Sequence, residues 1–233
     1  MKIETFLLCH NEERLLPYAI RHYQQFSDVT ILENNSTDAS KTIAAAMKAY
    51  VWDINTPDEI NNTWYLQAKN NCWKLSSADW VIVADTDELV YHPHLLALLE
   101  TTDATIIEPE MWNMYSEKFP DTKGQIIEQV NKGLRAPNSK CVMFRPSALS
   151  EMNYAAGCHS CHPIGIIKKE TLGIKILHMR HLSVQYTLER NRYLNSRLSE
   201  FNKSQGWSWH YALPENEVIK SVENGIRGAE FAL

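Results

Sequence analysis

A chain of 233 residues, 44% hydrophobic and 22% charged, is long enough for one large domain with a full core and excludes long disorder. The formal net charge of -5 argues against nucleic acid as a main partner, because phosphate backbones are bound by clustered Lys and Arg. Basic residues gather only late, at Arg190, Arg192, Arg197 and Lys203. The opening residues reach a strand-like run of only four apolar residues, 6–9, and then polar Asn11, Glu12 and Glu13. That is neither a signal peptide nor a membrane span, so a cytoplasmic location is expected. The five cysteines, Cys9, Cys72, Cys141, Cys158 and Cys161, are odd in number and scattered, which fits reduced thiols better than a disulfide framework.

In chain order, residues 6–9 predict a buried strand, and Asn11 is placed to cap a helix carrying Leu15, Leu16, Ala19, Ile20 and Tyr23 on its apolar side. A second strand at 29–32 ends in polar residues 33–38, and a small-residue helix follows over 39–49. Strand, helix and strand make a βαβ unit, which implies a parallel sheet with right-handed crossovers. A third strand is expected at 50–52, then a helix over 61–75 with Trp64, Ala68, Asn71, Cys72 and Leu75 on one side. Residues 80–83, Trp-Val-Ile-Val, suit a strand buried on both faces. Beyond Glu88 the alternation is less regular: a short helix at 95–99, a strand at 104–107 and a loop-rich stretch over 112–137. Further strands are expected at 141–145, 165–167 and 174–177, the last running into His178, Met179, Arg180 and His181. An amphipathic helix over 182–202 then carries Leu188, Leu194, Leu198 and Phe201. No internal repeat or linker divides the chain, so a single α/β domain is expected.

The apolar run at 80–83 ends in Asp85 and Asp87, whose side chains project to one side of an extended chain. Such a pair is a hard-oxygen site for Mg2+ or Mn2+, and open α/β sheets bind ligands at the carboxyl ends of their strands. The alternative is a solvated acidic turn. The strand ends at Cys9 and Leu32 deliver further polar groups to the same edge. Glu33, Asn34 and Asp38 suit ribose hydroxyls and base donors, although Ser36, Thr37 and Asp38 would equally cap the next helix. His178, after a strand, is an acceptable third ligand for Mn2+, with His181 its rival. Lys140, Arg145 and Arg180 are candidates to neutralise a leaving diphosphate.

Asn11-Glu12-Glu13, then 32–38, then Ala84-Asp85-Thr86-Asp87-Glu88, resembles in order and spacing the amino-terminal half of a family 2-like glycosyltransferase with the GT-A fold. The resemblance implies a Rossmann-like, mostly parallel central sheet with flanking helices. It places Asn11, Glu33, Asn34, Asp38 and Asp85 at the nucleotide, and Asp85, Asp87 and His178 at a Mn2+ or Mg2+ ion on the donor diphosphate. It also implies a nucleotide-sugar donor, a UDP-sugar by preference, a glycan or lipid-linked glycan acceptor, inversion, and peripheral contact with the inner face of a membrane. The later half is similar to a bacterial subgroup in which a Lys, a Gly-x-His, a His after a strand and a Gly-Trp-x-x-His-Tyr recur. Here these are Lys140, Gly157 to His159, His178 and Gly206 to Tyr211. Bacterial surface-polysaccharide synthesis is the implied setting. Within one domain of 1–233, residues 1–100 are expected to bind nucleotide, 101–182 to form the acceptor half, and 183–233 to add a helix and tail.

Transfer to a hydroxyl needs a hydrogen-bond acceptor near the attacking oxygen, and His159 is the first choice, Glu110 the second. Trp112, Tyr115, Trp207 and Trp209 are available to stack on sugars. The run 158–162 matches the attachment signature of c-type haem, but no export signal accompanies it, and a zinc site has no second ligand pair. Two other classes compete. Residues 81–87 also resemble the nucleophile strand of haloacid-dehalogenase-like phosphatases, yet the only later aspartates are Asp103 and Asp121. A non-catalytic nucleotide-sugar or glycan-binding protein on the same scaffold differs only in forming no product.

Overall fold

Strand Ile3–Cys9 lies near the middle of a seven-stranded sheet in the computed structural model, which describes residues 1–233. Asp28–Glu33 pairs parallel on one side and Trp80–Asp85 parallel on the other, with Tyr50–Asp53 parallel beyond Asp28–Glu33. Alternate residues of these strands enter different cores: Leu7, Ile31 and Ile82 join one apolar cluster, and Phe6, Leu32, Val81 and Val83 the other. Burial on both faces is why each strand reads as an unbroken apolar run. Helices Leu16–Tyr23, Ser40–Ala46 and Asn62–Asn71 make the crossovers.

The far edge is not parallel throughout. Met143–Phe144 joins Trp80–Asp85 antiparallel, Ile106–Ile107 joins Met143–Phe144 antiparallel, and Lys169–Glu170 closes the edge. A second sheet of five strands runs in the order Glu230–Phe231, Lys132–Arg135, Glu110–Tyr115, Lys175–His181, Glu88–Tyr91. The chain leaves the first sheet at Asp85 and enters the second at Glu88, so Thr86 and Asp87 form the seam between the two.

Several expectations need correction. The stretch 112–137 holds two strands, Glu110–Tyr115 and Lys132–Arg135, and a short helix, Ile126–Gln129. These strands are only partly buried, so polar residues interrupt their apolar pattern. The helix expected over 61–75 stops at Asn71, and only part of its expected face is buried, Cys72 being in the core. Leu75 is 97% and Trp64 41% exposed, whereas Lys69 is 5% exposed, drawn in by the carboxylate of Asp85. Asn11 does not cap the helix after it. It adopts φ 50, and its Oδ1 accepts from the backbone N–H groups of Thr37 (2.7 Å) and Asp38 (3.2 Å).

The strand expected at 174–177 continues to His181, so His178 and Arg180 lie within it. In place of a strand at 165–167 there are Ile164–Gly165 and Lys169–Glu170, with Ile166 and Ile167 exposed. The helix expected over 182–202 breaks into Val184–Ser196 and Glu200–Ser204. At the break Arg197 O accepts from Ile60 N–H (2.7 Å), and Ser199 N–H donates to Ile60 O (3.1 Å). Leu188 and Leu198 are buried as expected from their spacing, but Phe201 is exposed.

A last helix, Glu215–Gly228, packs Val218 and Val222 against Leu188. Gly225 lets it rest on the ring of Tyr115, where any Cβ would collide with ring carbons. Gly225→Ala gains at most about 1 kcal/mol of helix propensity against an overpacking cost of about 1–3 kcal/mol. It is therefore expected to lower the melting temperature in thermal unfolding; an unchanged or raised value would show that Tyr115 moves aside freely.

Candidate functional site

The seam between the sheets gathers ionised groups from six separate parts of the chain. Thr86 Oγ1 ties the turn to the first strand by donating to Leu8 O (2.8 Å). Asp85 accepts from Lys69 Nζ at 2.6 Å and Lys140 Nζ at 3.2 Å, and Lys140 also pairs with Glu88. Asp87 meets Arg190 Nη2 at 3.1 Å and His178 Nε2 at 3.4 Å. Arg190 Nη1 donates to both oxygens of Glu12, at 2.6 and 2.7 Å.

Four carboxylates, those of Glu12, Asp85, Asp87 and Glu88, thus face three cations, Lys69, Lys140 and Arg190, with His178 beside them. Burial alone would raise the carboxyl of Asp85, but Lys69 and Lys140 hold it well below the ordinary value. Burial likewise opposes ionisation of Asp87, which His178 and Arg190 reverse. Burial pushes Glu12 up to about 7, with Arg190 acting against it.

The chain contains one gathering of three metal-ligating side chains: Asp87, Glu88 and His178, whose ligand atoms lie within 4.8 Å of one another. Carboxylate and imidazole ligands suit Mn2+. His178 Nδ1 donates to Asn113 Oδ1 at 3.0 Å, and Nε2 lies toward Asp87; such a contact on the far nitrogen is the outer-shell arrangement that orients a ligand imidazole. Asp87 and His178 line the adjoining cleft, while Glu88 sits behind them at 1% exposure. Asp85 also lines the cleft, but its oxygens are turned to the two lysines. His181 does not line it; it stacks on Tyr115 with centroids 4.7 Å apart, and burial holds its pKa down to about 3.

The cleft is about 390 Å³ and runs from the ends of the first three parallel strands to the second sheet. At the first end Leu8, His10, Asn34, Ile60 and Tyr65 line it. Asn34 is held by Tyr65 and Thr56, its Nδ2 donating to Tyr65 Oη at 3.1 Å and its Oδ1 accepting from Thr56 Oγ1 at 2.5 Å. Glu33 does not reach the cleft. Its carboxylate, 3% exposed, accepts from the N–H groups of Asn35 (3.1 Å) and Ser36 (2.6 Å) and so shapes the loop. Asp38, one residue before the N-cap Ala39, accepts from Ser40 N–H (2.9 Å), the first of the helix, and from Glu13 N–H (3.0 Å). Asn11 and Asp38 line a smaller hollow of about 220 Å³ beside the cleft, with His10 common to both.

At the second end lie Asn113, Asn138, Lys140, His159, Arg180, His210 and Tyr211. His159 Nδ1 donates to Ser139 O at 3.2 Å, which leaves Nε2 as the free acceptor nitrogen. Glu110 is not part of the cleft, since it pairs with Arg135 at 3.0 Å. Arg145 is structural: it lies 4.3 Å over the Trp80 ring and donates to the carbonyls of Ala104, Leu99 and Thr102. Of the candidate stacking aromatics, Trp112 lies under Lys175 and Tyr115 under the last helix. All five cysteines are free thiols.

Glu12, Lys69, Glu88 and Arg190 escaped sequence reasoning. Glu12 and Glu88 lie inside quoted motifs, and Arg190 inside the late basic run, but nothing in the pattern pairs them. His10 and Tyr65 carry no signal at all.

Two α/β sheets with an acidic turn at the strand ends and an ion-rich cleft define the GT-A class of nucleotide-sugar transferase. The sequence model for glycosyl transferase family 2 matches residues 6–125, and the chain belongs to that family. No curated protein sequence matches it significantly. Glucosyl-3-phosphoglycerate synthase from Mycobacterium tuberculosis with Mn2+, UDP and glucosyl-3-phosphoglycerate superposes at a TM-score of 0.37 and 20% identity, covering 47% of this chain and 44% of that one. The same synthase with Mg2+ and UDP gives 0.35 and 22%, covering 47% and 43%. The chain therefore spans under half the length of these structures.

Asp85 and Asp87 both have folded-state pKa values below the ordinary one. Their contribution to stability is complete above about pH 4 and is lost as pH falls toward the folded values. Melting temperature is expected to drop below about pH 4. Asp85→Asn, which cannot titrate, is expected to melt lower at neutral pH and to show a shallower acid drop; equal acid slopes would count against the assigned ion pairs.

Proposed function

We propose that the protein transfers a sugar from a nucleotide-sugar donor, a UDP-sugar by preference, to an acceptor hydroxyl at the second-sheet end of the cleft. The observation that carries this reading is the Asp87, Glu88 and His178 gathering beside a cleft that begins at the strand ends. Asp87 and His178, with Glu88 or Asp85 as the third group, would hold Mn2+ or Mg2+. The ion, when bound, supplies Lewis-acid stabilisation of the departing diphosphate. Lys69, Lys140 and Arg190 keep the carboxylates ionised and fixed in place. The nucleoside lies along Asn34, Tyr65 and His10, with Asn11, Glu33 and Asp38 shaping that wall.

His159 takes the proton of the attacking hydroxyl at Nε2. Burial and then Lys140 lower its pKa, so the imidazole is neutral at pH 7 and able to accept. A base and no enzyme nucleophile in the acceptor end favours a single displacement with inversion. The division of one domain into a nucleotide half over 1–100, an acceptor half over 101–182 and a helical cover over 183–233 follows from the same reading. No helix is long and apolar enough to cross a membrane. A cytoplasmic place at the inner face of a bacterial membrane, acting on a glycan or lipid-linked glycan in polysaccharide synthesis, is the setting proposed.

In a thermal-shift screen, one nucleotide sugar is expected to stabilise the protein only when Mn2+ is present, and Asp87→Ala is expected to remove the Mn2+-dependent part. Stabilisation by phosphate mimics alone would return the site to phosphatase chemistry. His159→Ala is expected to lower kcat by about 10²- to 10⁴-fold with UDP–Mn2+ binding unchanged. Because burial and Lys140 hold the His159 pKa below the ordinary histidine value of about 6.5, the wild-type rate is expected to hold through that value and to fall only at lower pH, as the base becomes protonated.

A further inference from the structure

The two ends of the cleft differ in charge. Every carboxylate that lines it, Glu12, Asp85 and Asp87, belongs to the donor half, and each holds a cation. The second-sheet end contains no acid. Among the lysines and arginines of the lining, Lys140 pairs with Asp85 and Glu88, Arg190 with Glu12 and Asp87, and Arg197 with Asp58 at 2.9 Å.

Arg180 alone has neither a carboxylate nor a hydrogen-bond partner; its guanidinium rests 5.8 Å from the centre of the Tyr211 ring. His210, also in the lining, has a buried Nε2 with no hydrogen-bond partner. Burial, with Arg180 next, pushes the His210 imidazole down to about 4, so it stays neutral and adds no second charge. A half-buried guanidinium without a counter-ion is costly, and an orphaned ring nitrogen beside it adds to that cost. A ligand oxyanion satisfies the guanidinium, which matches carboxylate and phosphate oxygens two at a time.

We propose that the acceptor is an anionic sugar, bearing a carboxylate or phosphate group that Arg180 binds in the second-sheet end of the cleft with His210 Nε2 beside it. This rests on the transferase reading of the same cleft. The donor diphosphate offers the same oxyanion chemistry, and Arg180 is only two residues beyond His178 on the same strand. The position of Arg180 among groups of the second sheet and the Tyr211 loop favours the acceptor.

The test has two stages. UDP with Mn2+ is first titrated into the protein by calorimetry, with no sugar present. With UDP and Mn2+ saturating, glucose, glucose 6-phosphate and glucuronate are then titrated separately. At least one charged sugar is expected to bind wild type about tenfold or more tighter than glucose, and Arg180→Met is expected to erase that preference while leaving UDP–Mn2+ affinity within about twofold. Arg180→Lys is expected to restore part of the preference, since it keeps the charge and loses the fork. Equal binding of charged and neutral sugars by wild type, including binding of none, would overturn the proposal. A roughly tenfold loss of UDP–Mn2+ affinity in Arg180→Met with the sugar preference intact would also overturn it, assigning the group to the diphosphate. Failure of wild type to bind UDP with Mn2+ is a separate result, read before any sugar is added, and overturns the transferase reading itself.

Discussion

The chain of contacts from Glu12 through Arg190 to Asp87 is the constraint on which the site depends. It joins the end of the first strand, the seam between the two sheets and the late helix Val184–Ser196, residues that sequence keeps far apart. A guanidinium has the fork geometry to engage two carboxylates at once, which an ammonium has not. Removing one partner of such a buried pair typically costs about 3–5 kcal/mol, because a charge is left without compensation. The network is therefore better understood as a device that brings carboxylates together than as a source of net stability. Like-charged groups this close would otherwise repel, and the interleaved Lys69, Lys140 and Arg190 make their proximity tolerable.

The two-sheet architecture decides where this network sits. A strand buried on both faces cannot hold an ionised residue along its length, so the acids are found where Trp80–Asp85 leaves the core. The immediate return of the chain into Glu88–Tyr91 then sets Glu88 opposite His178 and Asp87 one step along, where its backbone oxygen accepts from Met179 N–H and its carboxylate reaches His178. The helical segment after Leu182 closes the other side. His10 stacks on Tyr193 with rings 6.0 Å apart, and Leu198 bridges to Ile60, so residues from both ends of the chain frame the nucleoside end of the cleft.

The apolar strands of the first sheet were legible in the sequence because burial on both faces writes a continuous signal. The second sheet was not, because its strands are partly exposed and its pairings join distant residues: Glu110–Tyr115 with Lys175–His181, and Lys132–Arg135 with Glu230–Phe231. For the same reason Glu110 read as a free acid and Arg145 as a free cation, whereas one is paired across the sheet and the other braces the loop after Leu99. Lys69 carried no signal in the sequence, and only the carboxylate at the neighbouring strand end explains its burial.

The sequence by itself determined the α/β class, the parallel direction of the first strands and the family, since these rest on local apolar runs and on the spacing of short motifs. It also marked Asp85, Asp87 and His178 as residues of interest, because each follows or lies within an apolar run. Only the tertiary structure decided which of them meet. Asp87 and His178 face each other and gather Glu88, while Asp85 is claimed by two lysines. Arg180 is left without a partner in the cleft. Ion pairing depends on distances across sheets and helices, and no local pattern in a chain encodes which charges will be neutralised and which will be left for a ligand.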